Sequence, residues 1–316
     1  MSNDQPEDKT APGLLDYEAS KPLILNNKTC PYCGCDLTQA IDSDKEHVIA
    51  RNFVPKGTLQ SQWNLIVRAC RTCNGAKADL ENDISAISMY PTLDGQFAAD
   101  DHRLHDAARR KTRAINRRTR KSVGEPEPPI DVRGNFMGAQ ITFTFRAPPQ
   151  AAEERLYDLA RRQIQAFFYF LTYDPQSGRG RFWPGVFCPL LAVRRPDWGN
   201  AQQLWFQEYT KEWLFRFHGG TAEGFFKLWI KRKSESEAVW AWALEWNQNF
   251  RLVGFFGDTE FCDALDAIVP GLEMDHEHRD GNQFFRARLE VPLVPENDFL
   301  FAEPSTASAS SSAQIP

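Results

Sequence analysis

A chain of 316 residues with 42% hydrophobic and 12% aromatic content can bury a sizeable core, and ordinary domain sizes leave room for two domains. No apolar run approaches the ~18 residues that a membrane span needs, and the opening MSNDQPEDKT is acidic where a secretory leader is basic and then apolar. A cytoplasmic protein without a membrane role is therefore expected, while a formal net charge of -5 leaves nucleic-acid binding to be decided by where Lys and Arg cluster.

Residues 1 to 20 and the Ser/Ala-rich end, 303 to 316, carry too little apolar surface to offset ordering and are expected to be disordered tails. Between them, seven cysteines include two Cys-x-x-Cys pairs, Cys30 with Cys33 and Cys70 with Cys73. In a chain without a secretory signal such pairs favour metal thiolates over disulfides, and two of them make the tetrahedral set of a structural zinc site. Cys35, in CGC, reads as a bystander, and Cys188 and Cys262 read as packed thiols. The short runs HVIA and NLIVRAC predict two strands, and RTCNGAKADLEND predicts the start of a helix.

From about residue 100 to 121, Asp100 and Asp101 suit a helix start, and Leu104, Ala107, Ala108 and Ile115 give a thin apolar stripe. Nine Lys or Arg residues fall between Arg103 and Lys121 against Asp106 alone, so this helix is either a solvated face or a phosphate grip through Arg109, Arg110, Arg117 and Arg118. Pro126, Pro128 and Pro129 break helix and strand alike and put a domain boundary near 128.

Beyond it, ITFTF alternates as a strand, and Leu156, Leu159, Ile164, Phe167 and Phe168 mark a helix. FFKLWIKRK, VWAWALEW and FRLVGFFGD read as antiparallel strands with an aromatic face, TEFCDALDAIV as a helix capped by Asp258 or Thr259, and FFRARLEV as a last strand. The expected class is α+β. Trp240, Trp242 and Trp246 read as sheet core, with an aromatic pocket for a base or nucleotide as the sharper alternative.

The order of CPYCG, EHVIARNF and NLIVRACRTCNGAKAD resembles the HNH endonuclease family, the zinc-bearing branch of the ββα-metal (His-Me) finger nucleases, over about residues 28 to 84. The resemblance implies a ββα-metal finger within residues 21 to 128, closed by zinc on Cys30, Cys33, Cys70 and Cys73. It implies His47 as general base, Asn64 as the residue that fixes the loop, and Asn74 with Glu46 as ligands of a catalytic ion. The family's acid is more often Asp and its third residue often His; Glu and Asn suit a hard cation, Mg²⁺ or Mn²⁺. Arg51, Arg68, Arg71 and Lys77 are candidate phosphate contacts.

The residues support this chemistry on their own terms. Alone, His47 would read as a packing or capping histidine; an acid before it, two spaced asparagines and a metal clamp turn it into a base able to take a proton from water near neutral pH. The expected function is metal-dependent hydrolysis of DNA in restriction, antiphage defence or a mobile element, with residues 129 to 302 as an α+β specificity or regulatory domain answering to a partner or a small-molecule signal. One finger cuts one strand at a time, so double-strand breaks would need a homodimer or two nicks. The rival is a non-catalytic zinc-finger adaptor that binds nucleic acid or protein.

Overall fold

The computed structural model describes residues 17–38, 41–89, 101–111, 153–272 and 289–303, residues 113, 115 and 122, and the backbone of four strands between 130 and 287. The class is mixed α+β, with five α-helices and a five-stranded antiparallel sheet among the described residues, none of those helices being long and apolar enough to cross a membrane. Residues 1–16 and 304–316 of the expected tails and the stretch around residue 128, with its expected boundary, lie outside the described residues, as do Arg117 and Arg118. Tyr17, within the expected first tail, is instead packed, stacking on Phe217 and meeting Trp63 edge-on.

The N-terminal part is a small sheet with a helix running straight out of it. β1 (Leu23–Ile24) pairs in parallel with β3 (Leu65–Cys70), and β2 (Ser43–His47) pairs with β3 in antiparallel register, His47 opposite Ile66. β3 ends at Cys70 and α1 (Arg71–Ser88) begins at the next residue, so the second cysteine pair straddles a strand-to-helix junction. The expected strand HVIA is displaced: β2 is SDKEH and ends at His47, while Val48 and Ile49 leave the strand and bury in the core. A strand with solvent on one side and a helix on the other needs no apolar alternation if its inward side chain is a paired acid.

α2 (His102–Lys111) buries Leu104, Ala107 and Ala108 as the spacing implies, and Asp101 accepts a hydrogen bond from the Arg103 N–H at its start. Ile115 departs from the expected stripe and is exposed. β4 (Ile130–Phe136) and β5 (Ala139–Phe145) form a hairpin. α3 (Glu153–Leu171) then presents Leu159, Ile164 and Phe167 to the core.

The large sheet combines β6 (Val186–Arg194), β7 (Leu214–Thr221), β8 (Phe226–Arg232), β9 (Val239–Trp246) and β10 (Phe250–Gly257) in the order β6-β10-β9-β8-β7. Pro189 lies in β6, an edge strand, where a missing N–H costs no ladder bond, and the β10 register shifts beside it. α4 (Ala201–Tyr209) packs on one side of the sheet, and α5 (Thr259–Ala264) is capped by Asp258, whose side chain accepts from the Glu260 and Phe261 N–H groups. A last hairpin joins β11 (His276–Asp280) to β12 (Gln283–Ala287).

Both faces of this sheet are covered. Trp240, Trp242, Leu244 and Trp246 point to the α3 side, whereas Val239, Ala241, Ala243 and Trp229 join Phe206 and Phe255 on the other. The tryptophans are core: Trp242 stacks on Phe187, and the Trp246 Nε1–H donates to Gln163 Oε1 at 3.0 Å. No open aromatic pocket is formed by Trp240, Trp242 and Trp246, all at or below 8% exposure.

The two expected domains share that core. Leu25, Phe53, Trp63 and Leu104 belong to the same buried cluster as Phe167, Phe217 and Trp246. The Trp63 indole N–H donates to the Gly220 carbonyl, and Thr221 Oγ1 donates to the carbonyl of Trp63, which locks the cysteine-bearing part to β7.

Candidate functional site

Three groups of side chains converge around β2, β3 and α1. The first is a thiol cluster. The loop from Thr29 to Asp36 is closed by a bridge between those residues, and Gly34 turns it with φ +76°, a left-handed value that favours glycine. Asn27 holds the loop against β3, its Nδ2 donating to the carbonyl of Arg68 and its Oδ1 accepting from the Arg68 N–H. This places Cys30, Cys33, Cys35 and Cys70 with their sulfurs all within 4.8 Å of one another. Cys33 and Cys70 are 3.8 Å apart; sulfurs on a tetrahedral ion with bonds of ~2.3 Å would be separated by roughly 3.8 Å.

The main-chain N–H groups of Tyr32, Cys33 and Cys70 point at the Cys30 sulfur, and that of Cys35 at the Cys33 sulfur. Such donors favour thiolate. Burial raises Cys30 to about 11 and Cys35 to about 12; at Cys33 burial also pushes upward, but the Cys35 N–H and neighbouring thiols outweigh it and bring the group down to about 7. The cluster can hold a metal ion, and its all-sulfur donor set suits a soft or borderline one such as zinc. Cys35, expected to stand aside, is one of the four mutually close thiols; Cys73 lies next to Cys33 and Cys70 outside that set.

The second group is a buried charge triad. Lys77, fully buried, places Nζ 2.7 Å from Glu46 Oε1 and 2.5 Å from Glu81 Oε1, and also donates to the His47 carbonyl at 3.4 Å. The Tyr32 hydroxyl donates to the same Glu46 oxygen at 3.4 Å. Burial alone would lower Lys77, but Glu81 and Glu46 prevail and hold it above its ordinary value; burial raises Glu81. Two expectations are corrected here. Lys77 is an internal counter-ion, with no surface for a phosphate contact, because the helical face it occupies packs on β2. Glu46 is engaged by that lysine instead of standing open for an ion.

The third group surrounds His47. As neighbours on a strand, Glu46 and His47 face opposite sides, and Glu46 takes the helix side. Half-buried His47 makes no side-chain hydrogen bond among the described residues; burial, then the charge of Arg51, lowers its pKa below 6.5. Asn64 reaches across from the start of β3, with Oδ1 accepting from the Ile49 N–H at 3.2 Å and Nδ2 donating to the Ile49 carbonyl at 2.7 Å. A single amide thereby fixes the backbone two residues beyond His47. Asn74, half-buried, sits one turn before Lys77 on the face that carries Lys77 and Glu81, with no side-chain hydrogen bond among the described residues.

Beside this lies a basic cleft between the loop after β2 and α2. One open concavity of about 440 Å³ is lined by Lys56, Arg103, Arg109, Arg110 and Arg113, with His102 and Asp106. A second, of about 390 Å³, is lined by Arg51, Asn52, Val54, Asn82 and Lys111, and shares Lys56 and Arg110 with the first. Arg51, Arg109 and Arg110 were expected contacts. Lys56, Arg103 and Arg113 were not singled out: Lys56 is an isolated charge in VPKG, and only the fold brings it to α2. Arg68 donates instead to Ser43 Oγ, and Arg71 pairs with Asp42 at 2.9 Å and Asp44 at 3.5 Å, so both serve the β2–β3 hairpin.

Comparison with known proteins returned no matching family model, no matching curated relative and no matching solved structure.

Proposed function

We propose that the chain is a divalent-metal-dependent endonuclease of the HNH type, a ββα-metal finger whose four-thiolate zinc is structural and whose substrate is DNA. The observation that carries the proposal is His47: an imidazole biased toward its neutral form, with no side-chain hydrogen bond among the described residues, in a loop pinned by Asn64 and bordered by Arg51. A base must be unprotonated, positioned and free to accept; the lowered pKa, the anchored loop and the unengaged ring of His47 support that role.

In this reading the phosphodiester backbone lies along the cleft, held by Arg51, Lys56 and Arg110. His47 takes the proton of a water that attacks phosphorus, and the water oxygen forms the new P–O bond as the 3′ oxygen leaves. With Glu46 engaged by Lys77, Asn74 is the residue of the expected ligand pair that would be open to Mg²⁺ or Mn²⁺, an ion that would supply charge neutralisation at the phosphate. Asn64 acts through position alone: it holds the Ile49 peptide, and so the angle at which the chain leaves His47. Roles in restriction, antiphage defence or a mobile element, regulation through the C-terminal sheet, and homodimerisation for double-strand breaks extend the same proposal.

One observation favours the rival, a non-catalytic zinc module that binds nucleic acid or protein: Glu46 is occupied by Lys77. The test is incubation of wild type and His47→Ala with supercoiled plasmid in Mg²⁺, Mn²⁺ or chelator, after the two are shown to hold equal zinc. Ion-dependent nicking by the wild type and none by His47→Ala is expected. Equal behaviour of the two proteins would overturn catalysis by His47.

A further inference from the structure

The zinc assignment leaves one sulfur over. A tetrahedral ion takes four thiolates, and five cysteines of this chain meet in one place. Cys33 is their hub, within 4.8 Å of Cys30 and Cys35 and 3.8 Å from Cys70. Cys73 packs against the same cluster of Cys30, Ala69 and Cys70. Cys30, Cys33 and Cys70 are common to the geometric set and to the set that the paired spacing implies. The two sets differ in the fourth member: Cys35 by mutual distance, Cys73 by spacing.

We propose that Cys35 and Cys73 are alternative fourth ligands of the zinc, so that the metal-loaded protein keeps one free thiol beside the ion. The two thiols come from different elements, a loop and a helix. Cys35 is tethered through the closed loop that also carries Cys30 and Cys33, its carbonyl accepting from the Cys30 N–H at 2.8 Å. Cys73 projects from the first turn of α1, three residues after Cys70 at the helix N-cap. In exchange, one thiolate would leave the zinc and take a proton while the other would lose a proton and bind, so that four sulfurs hold the ion before and after. Neither Cys35 nor Cys73 is fully buried, and Cys33 is exposed, so water and small electrophiles reach this side of the cluster. The thiol left out of the ligand set is a modification site that a four-cysteine knuckle would lack.

This inference rests on the zinc assignment but not on catalysis. Its test uses the full chain with Co²⁺ as the probe metal, together with zinc stoichiometry. Cys35→Ser and Cys73→Ser are each expected to bind one metal per chain with the tetrathiolate charge-transfer spectrum of the wild type. Cys33→Ser and the double variant are expected to lose that spectrum. Alkylation of the zinc-loaded wild type, mapped by mass spectrometry, is expected to modify Cys35 or Cys73 in a given molecule but not both. Loss of the tetrathiolate spectrum in only one of the two single variants would overturn the proposal by fixing the fourth ligand. A wild type that binds neither Co²⁺ nor zinc would overturn the metal assignment itself, while plasmid nicking tests His47 separately.

Discussion

The triad of Lys77, Glu46 and Glu81 makes a demanding test of how the site is built. Replacing Lys77 with Met fills similar volume but leaves two carboxylates, at 7% and 4% exposure, without their shared counter-ion. Breaking a buried pair by removing one partner costs about 3–5 kcal/mol, since the remaining charge loses its compensation but not its desolvation. For a protein of this size that corresponds to a fall in Tm on the order of 10 °C. Chemical denaturation of wild type and Lys77→Met, monitored through the tryptophans, measures it. The pH dependence is fixed in sign. Lys77 is held above its ordinary value, so in the wild type its contribution is intact up to the usual lysine range and lost only as alkaline pH passes the raised value. Burial already holds Glu81 above its ordinary value against the pull of Lys77. In Lys77→Met that pull is gone, so the folded-state pKa of Glu81 stands above its unfolded one and the variant regains stability as pH falls from 7 toward 5. Adding Glu46→Gln and Glu81→Gln to Lys77→Met should restore most of the loss. A loss below about 1 kcal/mol, with no dependence on pH between 5 and 7, would refute a buried triad, because that is the range of an exposed pair.

Asn64→Ala removes both hydrogen bonds to the Ile49 peptide and leaves its N–H and carbonyl unsatisfied, for an expected loss of about 2–4 kcal/mol in denaturant titrations with zinc retained. If His47 is the base, the nicking rate should rise with pH through a value below 6.5 and level off toward pH 8, since the lowered pKa keeps the imidazole neutral there; a rate that falls over that range would assign the proton transfer elsewhere. Lys56→Gln with Arg110→Gln, made in the His47→Ala background, neutralises the two cations common to both concavities. The slope of log affinity for duplex DNA against log salt should flatten by about 1.8, and an unchanged slope would remove the cleft from the binding surface.

Much of the fold was legible where packing is one-sided or periodic. Leu159, Ile164 and Phe167 recur at helical spacing, and the alternation of Trp240, Trp242, Leu244 and Trp246 marks β9 because large rings on one face contrast with small residues on the other. That contrast also hid the second covered face, since Ala241 and Ala243 give no hydrophobic signal of their own. β2 was misplaced by a few residues because its single inward side chain, Glu46, is neutralised by a lysine thirty-one positions later. Lys77 was misread for the matching reason. A helical lysine is usually solvated, and although its i,i+4 relation to Glu81 stands in the sequence, only tertiary packing of α1 on β2 makes that pair internal. The cysteine pairs were plain from spacing, yet Cys35 entered the cluster through the curl of its loop, which spacing alone does not specify.

The cysteine-bearing part and the large sheet share one buried core, and this bears on how His47 is positioned. The turn between β9 and β10 carries Asn247 and Gln248 with φ of 52° and 55°, and it points at the N-terminal part. From that turn the Asn247 Nδ2 donates to the carbonyl of Phe53 at 3.0 Å and to Ser88 Oγ at 2.7 Å, and Asn249 donates to the carbonyl of Ser88. Phe53 itself packs edge-on against Trp246. One tip of the large sheet thus grips both the end of α1 and the loop that leaves His47. Asn64 fixes that loop near its start at Ile49, and Asn247 fixes it four residues later at Phe53. A displacement of the β9–β10 turn must therefore either break bonds to Phe53 and Ser88 or carry the His47 loop with it. The large sheet is a structural support of the candidate site, and removing it would expose Phe53 and Trp63 and release the loop at one of its two anchors.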